Sequence, residues 1–492
     1  MIELFNSLSK IEVKLLGKFV RSPFFNTFST IIKTYDYCYS KYPDGKEEDM
    51  NGRVFSDYVY GKKKGNKVKV RKLLSDFTKV IEMFLVQLEI NKNPLENRII
   101  LLTSLRNRNL KKRFEINYNY IEGIQSKLTN RDQNYYLRQI NLEMESQKMY
   151  SALTESEKVS SNIQNISNNI DYYFMIAKLY NFLDMNTLEV DHLNSFPFKK
   201  GYYNEIEDYF EKNREALEKD HTNIVIAYYA FKMFVTKEEK YLIQLIRFFD
   251  THWMEFTKDQ LYEYYKVLEN SYQILSNESM ASEKYSIKKF RVFEELYGIK
   301  YFFREMICRE GLNMTEFVRV VKNGLNLKKY KWVINFIENY HIYLPEDFKN
   351  DIYNYSKAEY FYATGQYDKS LEYINKINFT DEQYYYLSKL ILMRIYYDRN
   401  EIQSLKYAIN NINKYCREKK TLYKPHVERI KTFLKFLNEL IRIKNIPAKE
   451  REVNVAVMRK KLEKTQLTFS YKKWIMKKLD EMGEKKLKGK VK

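Results

Sequence analysis

From residue 323 onward one helix-turn-helix pattern recurs. NGLNLKKYKWVINFIENYHIYLP begins at Asn323, YFYATGQYDKSLEYINKI at Tyr360 and IYYDRNEIQSLKYAINNI at Ile395, starts that lie 37 and 35 residues apart. A period of that length is one pair of helices with its turn, and a lone pair cannot bury its apolar face. Stacked pairs can. The spacing therefore predicts an α-solenoid, an architecture whose function is set by what it grips rather than by a reaction it performs.

The rest of the chain agrees with helices. Its 492 residues hold only 13 Gly and 7 Pro, too little punctuation for turn-rich sheets or barrels. Over 4–20, Leu4, Phe5, Leu8, Ile11, Leu15, Leu16 and Phe19 recur at helical spacing until Pro23 breaks the pattern. A second helix is expected over 29–41. A long amphipathic helix is expected over 67–91, with Val70, Leu73, Leu74, Phe77, Val80, Ile81, Phe84, Leu85 and Leu88 on one face. Pro94, in NKNPLEN, then reads as a boundary. Turn signals near 129–132, 160–169, 194–201 and 276–282 punctuate a further run of helices. The predicted organisation is an N-terminal helical module (1–93), a helical body (94–313), the repeats (314–419), capping helices (420–482) and a disordered basic tail (483–492).

The repeat resembles a degenerate tetratricopeptide (TPR) array. Its best unit carries Ala358, Gly365, Tyr367, Ser370 and Ile374 in the family's phase. The unit before it supplies Tyr330, Val333 and Pro345, and the unit after it Asn400, Ile402 and Ile409. Two positions depart from the pattern: Leu405 stands where Ser370 does, and Lys328 replaces the turn glycine. Small Ala358 and Ser370 would let two helices approach closely, and Gly365 and Asn400 tolerate the left-handed backbone of a tight turn. The resemblance implies an all-α, right-handed α-solenoid of stacked antiparallel helix pairs. The segments FVRSPFFN and VRKLLSDFTKVIEMFL also resemble parts of bacterial helical proteins, a likeness that implies no activity.

In TPR arrays the first helix of each unit lines the groove. Here that helix carries Tyr355, Glu359 and Tyr362, then Arg394 and Tyr397, the contacts expected for a protein or peptide partner. The chaperone-tail clamp of some relatives needs Lys and Asn where Tyr355 and Glu359 stand, which disfavours that ligand class.

Charge suggests an alternative. The net +21 is concentrated at the ends, with +6 in residues 1–100 and +10 in residues 444–492. Lys62, Lys63, Lys64, Lys67, Lys69, Arg71 and Lys72 form a run without one acidic residue, at a helix start that already carries partial positive charge. An anion such as a nucleic-acid phosphate would relieve that repulsion. In the C-terminal segment lysines flank Phe469, Trp474, Ile475, Leu479 and Met482, a stripe that reads as a cap on the last repeat.

Other chemistry is not indicated. Neither GxxxxGK[ST] nor GxGxxG occurs, and the five histidines show no HExxH or Cys/His pairing. Cys38, Cys308 and Cys416 are too scattered for a disulfide framework, which fits a reducing compartment. The N-terminal MIELFNSLSKIEVKLLGKFV lacks the apolar core of a secretory signal, and no 18-residue apolar run occurs. The expectation is a non-enzymatic cytoplasmic scaffold that needs no cofactor, metal, membrane or small-molecule substrate.

Overall fold

The computed structural model describes residues 1–62, 65–151, 156–192, 201–278, 282–298, 307, 311–378, 382–418, 424–465 and 469–484. Among them are 25 α-helices and no strand. The chain divides into two compact units, residues 1–128 with 134–171, and residues 129–133 with 172–492. In order, the helices are α1 (Ile2–Asn6), α2 (Lys10–Val20), α3 (Ser29–Lys41), α4 (Glu47–Asn51), α5 (Arg53–Tyr60), α6 (Lys67–Lys92), α7 (Pro94–Arg106), α8 (Lys111–Gln125), α9 (Gln133–Ser151) and α10 (Ser156–His192). They continue as α11 (Tyr203–Lys212), α12 (Arg214–Asp220), α13 (Thr222–Thr236), α14 (Glu239–His252), α15 (Lys258–Glu278), α16 (Ser282–Tyr297), α17 (Met314–Asn326) and α18 (Tyr330–Tyr340). The last seven are α19 (Glu346–Ala363), α20 (Tyr367–Asn375), α21 (Glu382–Asp398), α22 (Ile402–Glu418), α23 (Lys424–Lys444), α24 (Ala448–Glu463) and α25 (Phe469–Glu484).

In the first unit, Phe5, Leu16, Phe77 and Ile81 are fully buried and join α1, α2 and α6 in one core. The single helix expected over 4–20 is two. Ser9 accepts from the Glu12 amide at 3.3 Å while the Glu12 carboxylate accepts from the Ser9 amide at 2.8 Å, a reciprocal cap that starts α2. Pro94 opens α7 at its first turn, where its missing N–H costs nothing, so the break expected at 93 falls inside this unit. The turn expected over 160–169 is also helical. There Asn162 donates to Ser146 Oγ at 2.9 Å in a buried contact that draws its side chain away from the backbone, and Asn169 bonds back to the Asn165 carbonyl at 2.8 Å, a contact the continuing helix accommodates.

In the second unit, the three turns of the sequence repeat share one backbone solution. Lys328, Gly365 and Asn400 have φ of 58°, 78° and 62°. Each is followed by a residue whose amide reaches back five positions: Lys329 to the Gly324 carbonyl at 2.9 Å, Gln366 to Phe361 at 2.8 Å and Glu401 to Tyr396 at 2.9 Å. This is the Schellman closure, which satisfies carbonyls orphaned at a helix end.

Helix α17 packs on α18 and α19, α19 on α20 and α21, and α21 on α22. Two close approaches set these contacts. Ser370 Oγ donates to the Ala358 carbonyl at 2.8 Å between α20 and α19. At Gly324 an added Cβ would stand 2.4 Å from Val333 Cγ2, so only glycine lets α17 and α18 meet there. The end of the chain forms a cap in which α25 packs on α23 and α24, burying Ile475 and Leu479 against Leu437, Leu440 and Leu462. Gly483 and Glu484 end α25, and the rest of the expected tail lies outside the described residues.

Candidate functional site

Polar side chains collect along the first helices of the repeat. Helix α17 presents Glu316, Arg319 and Lys322 at three-residue steps, one stripe of a helix. Glu316 pairs with Lys266 of α15 and accepts from the Tyr297 hydroxyl. Arg319 donates to Glu269 of α15 at 3.0 Å. Lys322 lies over the Tyr355 ring at 5.4 Å.

The stripe continues into the five residues expected to line the groove. On α19, Tyr355 donates to Glu359 Oε1 at 3.0 Å. On α21, one guanidinium nitrogen of Arg394 donates to both Glu359 oxygens, at 2.9 and 2.8 Å, while its carbon sits 4.5 Å over the Tyr362 ring. Tyr362 donates to Asp398 at 2.8 Å. Tyr355, Glu359, Arg394 and Tyr397 are only 1%, 6%, 6% and 4% exposed, and Tyr362 is half-buried. Sequence spacing thus brings the five residues together, but they do not face solvent.

Helix α25 covers them. Trp474 donates its indole N–H to the Tyr362 hydroxyl at 2.6 Å and packs edge-on to Tyr397 at 5.4 Å. Lys478 pairs with Asp398 at 2.8 Å, and Lys473 donates to the Asn326 carbonyl at 3.3 Å. The Tyr471 ring lies 6.0 Å from both Lys322 and Arg394. The cap expected from Trp474, Ile475 and Leu479 therefore also reaches back across α21, α19 and α17. Asp398, Lys322 and Tyr471 were not singled out from sequence; the four-residue spacing of Trp474 and Lys478 was the available signal.

Electrostatics follow from burial. Burial raises the Glu359 carboxyl, but Arg394, Lys322 and the Tyr355 hydroxyl outweigh it and hold the group below its ordinary value. Glu316 is held low in the same way by Lys266 and Arg319. Burial wins at Glu269, which is raised, and at Lys289, lowered to about 8.

Of the basic run at the start of α6, Lys62, Lys67, Lys69, Arg71 and Lys72 are exposed, and among the described residues none makes an ion pair. Lys63 and Lys64 lie outside the described residues. Asn66 caps the helix by accepting from the Lys69 amide at 2.8 Å.

Other reactive groups have structural surroundings. His221 packs on Tyr172 at 4.1 Å, and His252 and His341 bond to the carbonyls four residues before them at 2.8 and 3.1 Å. Burial raises the Cys38 thiol to about 12 and also raises that of Cys416, while Cys308 lies outside the described residues. Among the described residues no group of three or more His, Cys, Asp or Glu could hold a metal, and no helix is long and apolar enough to cross a membrane. A cavity of about 490 Å³ between α21 and α22 includes Lys389, Tyr396, Gln403 and Asn411 in its lining, which holds no carboxylate or histidine.

No family model matches this chain, and comparison with curated proteins and with solved structures finds no match.

Proposed function

We propose that this chain is a TPR-like α-solenoid of stacked antiparallel helix pairs, a non-enzymatic scaffold that binds a protein or peptide segment across α17, α19 and α21. The observation that carries the reading is the repeated Schellman turn at Lys328, Gly365 and Asn400, together with contacts from each first helix to the next. Such contacts are what successive units of a solenoid use to share one core. Tyr355, Glu359, Tyr362, Arg394 and Tyr397 form the floor of that face, which α25 covers in this structure. Its test is affinity capture from a cell extract by the full chain and by Tyr362→Phe, with helicity checked by circular dichroism. Partner recovery that is the same for both folded chains counts against the assigned face.

A second reading uses the exposed cations at the start of α6 to contact nucleic-acid phosphates. It is the weaker one, because the C-terminal lysines expected to assist are partly engaged within the chain: Lys472 donates to the Glu463 carbonyl at 2.9 Å and Lys478 pairs with Asp398. Gel-shift titration at low and high salt decides it. Retention that falls steeply with salt and is lost in Lys67→Ala/Lys69→Ala/Arg71→Ala supports it; no retention at low salt removes it.

A further inference from the structure

Tyr471, Trp474 and Lys478 lie three and four residues apart, on one stripe of α25. Each meets a complementary group on the repeat. Tyr471 faces the cations of Lys322 and Arg394, the Trp474 N–H meets the Tyr362 hydroxyl, and the Lys478 ammonium meets the Asp398 carboxylate. Much of this receiving face is held without α25: Tyr362 is tied to Asp398, and Glu359 to Arg394 and Tyr355, by bonds between α19 and α21 or within α19. A face preorganised in this way receives a helix at reduced entropic cost.

We propose that α25 is an intramolecular stand-in for a partner's helix. The partner segment is an amphipathic helix that carries an aromatic residue, then Trp three residues on, then Lys or Arg four residues further. It docks on α17, α19 and α21 in place of α25. The proposal rests on the scaffold reading and deepens it by stating what the scaffold recognises. The tethered α25 competes at an effective concentration of roughly millimolar, so binding in trans is weak until α25 is loosened.

The probe is a fluorescent synthetic peptide of residues 469–484, titrated by anisotropy against the full chain and against its Lys478→Ala variant. The variant is expected to bind at least about tenfold more tightly than the parent, and a peptide with both Trp474 and Lys478 replaced by Ala about tenfold more weakly. Equal affinity of parent and variant, with the variant's helicity intact, overturns the proposal. So does a Lys478→Ala chain that elutes as a dimer, which would make the occupant a second copy of α25. If the variant does not fold, hydrogen exchange on the parent decides: amides of α25 that open well before those of α23 support the proposal, and opening only with global unfolding overturns it. A partner captured and cross-linked elsewhere on the chain, with no peptide binding here, would leave the scaffold reading and remove this one.

Discussion

Trp474 and Tyr362 are joined by a 2.6 Å hydrogen bond across 112 residues of sequence, with the indole donating and the phenol oxygen accepting. Because Trp474 is buried, Tyr362→Phe leaves its N–H without an acceptor and should cost about 1–3 kcal/mol. Trp474→Phe should cost a similar amount, and the two substitutions together should cost less than their sum. Urea denaturation of the two single variants and the double variant measures that coupling, and additive losses would refute it.

Arg394 and Glu359 behave as a unit. Removing one partner strands a buried charge, so Arg394→Leu should destabilise the second unit by about 3–5 kcal/mol. Replacing both, as Glu359→Leu/Arg394→Leu, should recover most of that loss. Chemical denaturation followed at 222 nm reads the difference, and a double variant no better than the single would show that the pair contributes more than mutual neutralisation.

Stability should fall in two steps on the acid side. Burial, assisted by the Arg131 charge, lowers the His221 pKa from 6.5 to about 4. Between those values the unfolded chain binds the extra proton and the folded chain does not, so stability declines as pH drops from 6.5 towards 4. Glu359 and Glu316 are held below 4.5, so their contribution is present above that value and is lost as pH falls through their folded pKa. Glu269, raised by burial, has the opposite sign and offsets part of the loss. Urea midpoints against pH should show His221→Asn abolishing the upper step and Glu359→Gln flattening the lower one.

Backbone strain at Lys328 gives a prediction of opposite sign. A non-glycine residue at φ 58° carries a penalty of about 1–2 kcal/mol, of which the flexibility of an unfolded glycine returns part. Lys328→Gly should therefore raise stability by about 0.5–1 kcal/mol. Gly324→Ala should lower it by about 1–3 kcal/mol, because the added methyl meets Val333. Thermal melts of the two variants check both, and shifts in the same direction would overturn the backbone explanation.

The helices were legible in the sequence because apolar spacing and caps agree. The predicted limits 29–41 match α3, and of the nine residues expected on one face of α6, Val70, Leu73, Phe77, Ile81 and Phe84 are buried while Leu74, Val80, Leu85 and Leu88 pack against that core only partly buried. Ser9 shows where spacing alone misleads, since a local cap divides one apolar pattern into two helices. The tight turns were legible at Gly365 and Asn400, residues whose chemistry favours positive φ, and Lys328 occupies the same conformation without that signal. What sequence could not give was the depth of Tyr355, Glu359 and Arg394. Their cover comes from α25, about 75–130 residues later, and no local pattern encodes a contact at that distance.

The charge order across these helices has a consequence for modularity. Repeat arrays can often be lengthened or shortened because neighbouring units present interchangeable faces. Here the pairs differ from helix to helix: Lys266 with Glu316 and Glu269 with Arg319 join α15 to α17 with opposite polarity, Glu359 with Arg394 joins α19 to α21, and Asp398 with Lys478 joins α21 to α25. Duplicating or deleting one unit would set charges against the wrong partners in a dry interior. These pairs therefore tie the order of α15, α17, α19, α21 and α25 to the charges that the helices carry.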